Sequence, residues 1–372
     1  MPDNQAPWIE IKQSSQHTKV PQYASNQKYP WQAMFACQIG IRSFEERVQL
    51  KWGFNAAVLL EEALDRQKLF LESQLHNNPI DTPIEQRTLS LRCIGAPEAG
   101  LLLGLVGKVL AESPENAKTF ALNYLREIES IFPYDYTIRP VTSMEAFNRT
   151  MGKEIFRKCN DQTSIAQIRR FESPLQTSKG VFRMVGIWQT GKRADEQIWR
   201  ALAHYPQDIL LDISICPTTL LEGERQALLE MKQVAKTHQD ASSKEPYLQH
   251  YDAWIDPFVS RHISPWNKYF YLQVHLASPG RIDEYLLRSI GSSITRDNPE
   301  RSTPGFQVLR PMNKSEAIEW IGHLECLDMV RTNNSLLLPR LSELASIDEV
   351  HAVFRLPYPP EPGLPNINFL EE

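Results

Sequence analysis

The chain alternates between apolar segments that suit β-strands and amphipathic segments that suit α-helices, and this alternation limits the folds open to it. The segment LLLGLVGKVLA, which starts at Leu101, carries two internal glycines that argue against a helix, so we predict a buried strand. Ser113 and Pro114 then supply a helix N-cap and a first helical residue. Pro133 ends the helix that they begin.

The same rhythm of strand, helix and strand returns twice further along the chain. The second set consists of VFRMVGIW, ADEQIWRALAHY and ILLDISIC. The third consists of YFYLQVHLAS, a helix over Arg281–Ile294, and GFQVLRP. No fixed residue period accompanies this rhythm, which argues against a solenoid. The pattern predicts an α+β fold, in which successive strand-helix-strand units form sheets that helices cover on one face.

Composition along the chain predicts the domain organisation. Residues 1–30 are rich in Gln, Ser, Asn and Pro, and we expect a flexible N-terminal arm. The three α+β units that follow are predicted over 31–145, 146–240 and 241–355. The polar segment HQDASSKEP, from His238, is the expected linker before the third unit. Residues 356–372 are proline-rich, which predicts a C-terminal strap.

Bulk composition restricts the compartment and the partners. The 372 residues carry a net charge of −5, so a large phosphate-binding surface is not indicated, although a local basic face stays open. The five cysteines are scattered and odd in number, which is typical of reduced thiols in the cytoplasm. Neither a signal-peptide core nor an apolar run of membrane-spanning length occurs in the sequence, so we expect a cytoplasmic protein without a membrane partner.

One segment comes close to a phosphate-binding loop. GIWQTGKR places Gly186, Gly191 and Lys192 at the spacing of the G-x-x-x-x-G-K-[ST] motif. A working loop needs small residues around the phosphates and a hydroxyl for Mg²⁺ after the lysine. Here Trp188 lies inside the loop and Arg193 stands where the hydroxyl is needed. A strand that leaves through a glycine turn into a helix is the simpler interpretation, and nucleotide binding by this loop is the alternative.

Other polar segments also have plain structural interpretations. The alternation of ILLDISIC indicates that Asp212 and Ser214 face outward. The basic residues Arg169, Arg170, Lys179 and Arg183 could contact nucleic acid, but a solvated strand face fits the acidic net charge better. Potential metal ligands in LQHYDAWIDPFVSRH, from Leu248, lie on a segment whose aromatic residues follow helical spacing. We therefore expect no catalytic residues, no metal and no cofactor.

The segment SIDEVHAVFRLPYPPEPGLPNINF, near the C-terminus, is distinctive. Ser346 and Glu349 predict a capping box for a short helix. The segment resembles the one that precedes the motor domain in HerA/FtsK-type and conjugative-secretion-type ATPases, where E-A-x-x-x-F-x-L-P is followed by a Gly-Leu-Pro-Gly turn. Val350 and Asn366 depart from that pattern. The matching residues are Glu349, Phe354, Leu356, Pro357, Gly363, Leu364 and Pro365.

This resemblance extends by layout over residues 85–370, and it implies a non-catalytic accessory or assembly module whose motor domain is missing. The implied partner is a motor ATPase or the chain's own missing motor domain, and a homo-oligomer is also open. The residues expected to bind that partner are Phe354, Leu356, Pro357, Tyr358 and Pro360. An intramolecular strap over the chain's own core is the alternative role for them. A nucleotide-binding enzyme and a DNA-binding or injection-machine protein are the alternative functions.

Overall fold

The computed structural model describes residues 6–14, 29–42, 56–76, 87–97, 100–159, 161–177, 180–190, 195–220, 222–240, 268–296, 305–329 and 343–358. Within these ranges, ten strands form one antiparallel sheet, two more form a separate hairpin, and nine helices accompany them. The predicted α+β class is therefore confirmed.

The first half of the chain supplies one end of the sheet. In chain order its elements are β1 (Ile9–Gln13), β2 (Trp31–Ile41), α1 (Ala56–His76), β3 (Arg87–Ala96), β4 (Gly100–Ala111), α2 (Pro114–Ile131), β5 (Tyr136–Pro140), α3 (Met144–Met151) and α4 (Lys153–Lys158). The strands lie in the order β5-β2-β4-β3, with β1 beside β5 on the same edge of β2.

The second half supplies the other end. Its elements are β6 (Ile165–Arg170), β7 (Glu172–Thr177), β8 (Gly180–Val185), α5 (Asp195–Ala203), β9 (Ile209–Thr218), α6 (Glu222–Asp240), β10 (Tyr269–Ala277), α7 (Glu284–Ile294), β11 (Phe306–Leu309), α8 (Lys314–Cys326), β12 (Leu344–Ala345) and α9 (Ile347–Val353). The strands lie in the order β9-β10-β6-β11, while β7 and β8 pair only with each other.

Each half is therefore a β-α-β-β-α-β unit with the strand order 4-1-3-2, which is the topology of a ferredoxin-like unit. The two second strands, β3 and β9, pair antiparallel and join the units into one sheet. The order of the strands is mirrored about this pair, as an approximate two-fold axis requires. The predicted boundary at residue 240 falls between β9 and β10, which are neighbours within the second unit.

Short sequence echoes accompany the repeated topology. Both third strands end in Leu-Ala, and Ser-Pro follows within two residues, at Ser113 and at Ser278. Both fourth strands lead through Arg-Pro into a capped helix. The N-caps of these two helices are Ser143 before α3 and Asn313 before α8. Each cap side chain accepts a hydrogen bond from a backbone N–H of the first turn. These echoes were too short to reveal the two units from the sequence.

Helices pack on both faces of the sheet in the described part of the chain. The main core lies under the unit helices α1, α2, α5 and α7, together with α9, and Phe35 there meets Tyr124 edge-to-face at 5.6 Å between ring centroids. The prediction placed helices on one face of the sheet, whereas the described helices cover both. Smaller clusters on the opposite face contain Phe147 of α3, Ile155 of α4 and Trp320 of α8.

The glycines inside β4 have packing reasons. A Cβ atom at Gly107 would lie 2.2 Å from the Phe35 ring, and one at Gly104 would lie 2.4 Å from the Thr150 side chain. Both neighbours are fully buried, so neither can move aside without cost. The glycines therefore allow close packing on both faces of the strand. This agrees with the prediction of a strand for this segment.

Candidate functional site

The segment after β8 holds the first part of the loop that resembles a phosphate-binding motif. The Gly186 N–H donates to the Phe171 carbonyl oxygen at 2.7 Å, and the Gln189 N–H donates to the Ile294 carbonyl oxygen at 3.0 Å. Trp188 forms an isolated β-bridge with Thr295, and its side chain is buried in the main core. A phosphate loop works by turning its amides towards the ligand, whereas these amides are bonded within the chain.

Gly186 is also explained by packing. A Cβ atom at this position would lie 2.4 Å from the Gly305 carbonyl oxygen, which is a backbone atom. The glycine is therefore needed for the close approach of two backbone segments. Gly191 and Lys192 lie outside the described residues.

The C-terminal segment that carries the motor-protein resemblance begins with α9. Ser346 and Glu349 form the predicted capping box, which is confirmed. The second oxygen of Glu349 accepts a bond from Arg170 Nη1 at 3.0 Å, and both side chains are fully buried. Arg170 also donates to the Leu344 carbonyl oxygen, and its guanidinium lies 5.9 Å from the centre of the Trp188 ring. Burial lowers the pKa of Arg170, and the nearby Glu349 carboxylate opposes that shift.

After α9 the chain continues as an ordered segment along the first unit. The Leu356 N–H donates to Gln67 Oε1 at 2.9 Å, and Gln67 Nε2 donates to the Tyr136 hydroxyl at 2.8 Å. Phe354 and Leu356 belong to the main core, so the segment is held by burial as well as by hydrogen bonds. Because Glu349 contacts β6 and Leu356 contacts α1, this short segment joins the two units.

The structure places the residues expected to bind a partner as follows. Phe354, Leu356 and Pro357 are buried within this chain, and Tyr358 is half-buried. Pro360 lies outside the described residues. The buried three therefore hold the strap to its own core, which is the alternative role that the sequence left open.

A buried polar cluster lies on the second face of the sheet, where β3 and β9 pair. Arg92 Nε donates to Asp212 Oδ1 at 2.8 Å, and both side chains are fully buried. The hydroxyls of Ser90 and Ser214 donate to the same carboxylate at 2.6 Å and 2.7 Å. The prediction that Asp212 and Ser214 face outward to solvent is wrong, because the face to which they point is itself buried.

Arg92 also connects the two helices that follow the fourth strands. One terminal nitrogen donates to the carbonyl oxygen of Met151, at the end of α3, and the other to that of Leu324, in the last turn of α8. The last carbonyls of a helix have no partner within it, and a cation there also suits the helix dipole. A single guanidinium thus ties the equivalent helices of both units to the strand pair between them.

The two consecutive arginines of β6 are buried as well. Arg169 lies 3.4 Å from Glu172 and 3.8 Å from Glu343, and Arg170 pairs with Glu349 as described above. The interpretation as a solvated strand face is therefore wrong for Arg169 and Arg170, while Lys179 and the side chain of Arg183 lie outside the described part of the structure. The pairing is also unsuited to nucleic-acid binding, because neither guanidinium can reach a phosphate.

His275 is a buried titratable side chain beside this cluster. It lies opposite Asp212 in the β9–β10 ladder and meets Trp320 edge-to-face at 6.1 Å between ring centroids. Within the described structure neither ring nitrogen has a hydrogen-bond partner. Burial lowers the pKa of His275 to about 4, so the ring is neutral at physiological pH. A ring that solvent cannot reach is a structural element and is not placed to exchange protons with a substrate.

The described ranges lack two kinds of feature, metal-binding groups and membrane-spanning helices. No group of three or more His, Cys, Asp or Glu side chains is arranged to hold a metal ion there. No described helix is both long and apolar enough to cross a membrane. The candidate metal ligands of the segment from Leu248 lie outside the described residues.

The sequence carries a signal for the buried cluster. Arg92 and Asp212 are opposite charges in the middle of two strands whose alternate positions are apolar. Such charges are rarely buried unless they are paired, so each could have suggested the other.

Scans against protein-family models and curated proteins found no match to this chain. The likeness to the pre-motor segment therefore rests on the residues quoted for it.

Proposed function

We propose that this chain is a non-catalytic accessory or assembly module for a HerA/FtsK-like DNA-translocating ATPase, and that it acts through protein–protein contacts. The motor is either a separate subunit or a further part of the same polypeptide. The observation that carries the proposal is the anchoring of the segment from Glu349 to Leu356, which contains Glu349, Phe354 and Leu356, three of the seven residues of the motor-protein resemblance.

The anchoring explains why these residue types occur at this spacing. Glu349 caps α9 and pairs with Arg170 in the second unit. Five and seven residues later, Phe354 fills the core and Leu356 bonds to Gln67 in the first unit. Removing one partner of this buried ion pair would cost about 3–5 kcal/mol, because the other charge would be left uncompensated. The burial of Phe354 and Leu356 in the main core also holds the segment. Whatever follows Tyr358 therefore starts from a fixed point on the two-unit body.

A fixed starting point suits a module that positions a motor. A domain attached through a flexible linker can rotate freely, whereas one attached to a buried strap moves with the body that holds it. In this proposal the two units form the rigid part, and Tyr358 is where the chain passes towards the motor. Among the described members of the predicted binding set, the half-buried Tyr358 is the one that can still contact a partner.

The bonded amides around Gly186 support a non-catalytic role over the nucleotide-binding alternative. Binding a triphosphate there would require breaking the bonds to Phe171 and Ile294 and displacing the buried Trp188 ring. Each bond would need replacement by the ligand, since an unpaired buried backbone group costs about 1–3 kcal/mol.

Affinity purification of the tagged full chain from its own cells tests the proposal. We expect a P-loop ATPase to co-purify in stoichiometric amount, with DNA-stimulated ATP hydrolysis in the eluate. The variant Glu349→Gln weakens the anchor, and we expect it to lose the ATPase while the thermal melt shows that the units stay folded. Arg157→Ala, an exposed change in α4, is the matched control and should retain the partner.

Two results would contradict this function. One is the absence of any stoichiometric ATPase from the wild-type purification. The other is ATP hydrolysis by the isolated chain that Lys192→Ala abolishes, because the catalytic site would then lie in this chain.

A further inference from the structure

The outer surface of the helix layer differs in charge between the two units. In the second unit, four exposed arginines lie on α7, on its flanks and on α5, at Arg200, Arg281, Arg288 and Arg296. Within the described ranges none of these guanidinium groups makes an ion pair. The exposed acid among them, Glu284, is paired with Arg310 at 2.8 Å. We call this surface the basic half.

The basic half is one continuous surface. The Tyr205 hydroxyl, just after α5, donates to the Arg281 carbonyl oxygen at 3.3 Å, so the end of α5 meets the start of α7. Tyr285 and Arg288 are three residues apart in α7 and therefore share a face, and Arg281 lies two residues before the N-cap Asp283. The Tyr285 side chain is 62% exposed on that face, where it could serve as an aromatic anchor.

The equivalent surface of the first unit is acidic. It is formed by α1, α2 and the residue before the N-cap of α2, and the exposed basic side chains on it are Lys118 and Arg126. The exposed carboxylates outnumber these two and are Glu61, Asp65, Glu112, Glu115 and Glu129. Leu69 and Phe120 add apolar side chains that are 62% and 48% exposed. We call this surface the acidic half.

The two halves lie on the same side of the sheet, because α1, α2, α5 and α7 all cover the same core. The approximate two-fold relation between the units also gives the halves matching helix arrangements. When a second copy is turned by 180° and laid on the first, each basic half faces an acidic half. Such a surface is complementary to itself, which is the condition for an isologous dimer.

We propose that two copies of this chain associate face to face through the helix layer, basic half against acidic half. Exposed ion pairs contribute little each, so their main effect is to set the orientation and to speed encounter. Burial of Tyr285, Leu69 and Phe120 then supplies affinity that does not depend on salt. The association needs no motor, so it is independent of the function proposed above.

Charge reversal on each half, in the full chain, tests this dimer by sedimentation velocity. Arg281→Glu with Arg288→Glu removes the net positive charge of the basic half, and Asp65→Lys with Glu129→Lys removes the net negative charge of the acidic half. We expect wild type to dimerise at low ionic strength and each double variant to bind itself at least about tenfold more weakly, since every change counts twice in a two-fold dimer. An equimolar mixture of the two variants should recover association. Arg157→Glu, on the opposite face, is the matched control.

Several results would overturn the proposal. Wild type could remain monomeric at low salt and high concentration, or the double variants could dimerise as wild type does. The mixture could fail to associate although circular dichroism shows both variants folded. A single-stranded DNA oligonucleotide provides a further arm. Salt-sensitive DNA binding that only the arginine variant loses, with no change in self-association, would assign the basic half to nucleic acid.

Discussion

Replacing Arg92 by methionine removes the side chain that connects the two units at their junction. The guanidinium donates to Asp212, to Met151 at the end of α3, and to Leu324 near the end of α8, and it is fully buried. Methionine has a similar length and no charge. The Asp212 carboxylate then remains buried with only the hydroxyls of Ser90 and Ser214.

The expected loss is large for a single substitution. Removing one partner of a buried ion pair costs about 3–5 kcal/mol, because the remaining charge is uncompensated. Two helix-end carbonyls also lose their donor, although local water entry can compensate part of that loss. We expect the free energy of unfolding to fall by about 4 kcal/mol. With an unfolding entropy of about 2.1 cal/mol/K per residue, this lowers the melting temperature by about 5 °C if the chain unfolds as one body.

The same strand offers a matched control. Arg87 pairs with Glu127 at 3.0 Å, but both side chains are about one-fifth exposed. Arg87→Met should cost less, about 1–2 kcal/mol, because water partly screens that pair, although the guanidinium also loses its contact with the Tyr124 ring, whose centre lies 4.7 Å away. Urea denaturation of both variants gives the two free energies directly. Adding Asp212→Leu to Arg92→Met should recover part of the loss, since the uncompensated charge is then gone. Equal losses for the Arg92 and Arg87 variants would refute the role of Arg92 as the tie between units.

Two further predictions concern the strap and the buried histidine. Gln67→Ala leaves the Leu356 N–H without its acceptor. We expect hydrogen exchange of the Leu356 amide to accelerate at least about tenfold, which corresponds to a net hydrogen bond of about 1.4 kcal/mol. Unchanged exchange would mean that other contacts hold the strap. The pKa of His275 is about 4 in the folded chain, against an ordinary value of 6.5, so the unfolded state binds more protons between these values. Stability should therefore fall as pH drops from about 6.5 to 4, and His275→Phe should reduce that slope in urea titrations at each pH.

The sequence predicted the local elements well where the signal is short-range. Caps at Ser113 and Ser346 and the helix ending at Ile294 depend on neighbouring residues, and all were found. The joining of the units could not be predicted in the same way. The pairing of β3 with β9 brings together residues about 120 positions apart, as the Arg92–Asp212 bond illustrates.

The wrong prediction for Asp212 shows a general limit of inferring exposure from the alternation of polar and apolar residues along a strand. A period of two separates the two faces of a strand, but it does not say whether the polar face meets water or a second layer of helices. Here α3 and α8 converge over Arg92, so the polar face is an interior one. The strap illustrates the same limit. Proline-flanked residues such as Leu356 are expected to be exposed. The Leu356 N–H instead donates to the side chain of Gln67 on α1.

The claim that this chain holds other machinery and does not itself use nucleotide can be tested by isothermal titration calorimetry with Mg-ATP. The amides of Gly186 and Gln189 are already bonded within the chain, so we expect no saturable heat at ATP concentrations up to the millimolar range. Saturable binding that Lys192→Ala abolishes would contradict that claim.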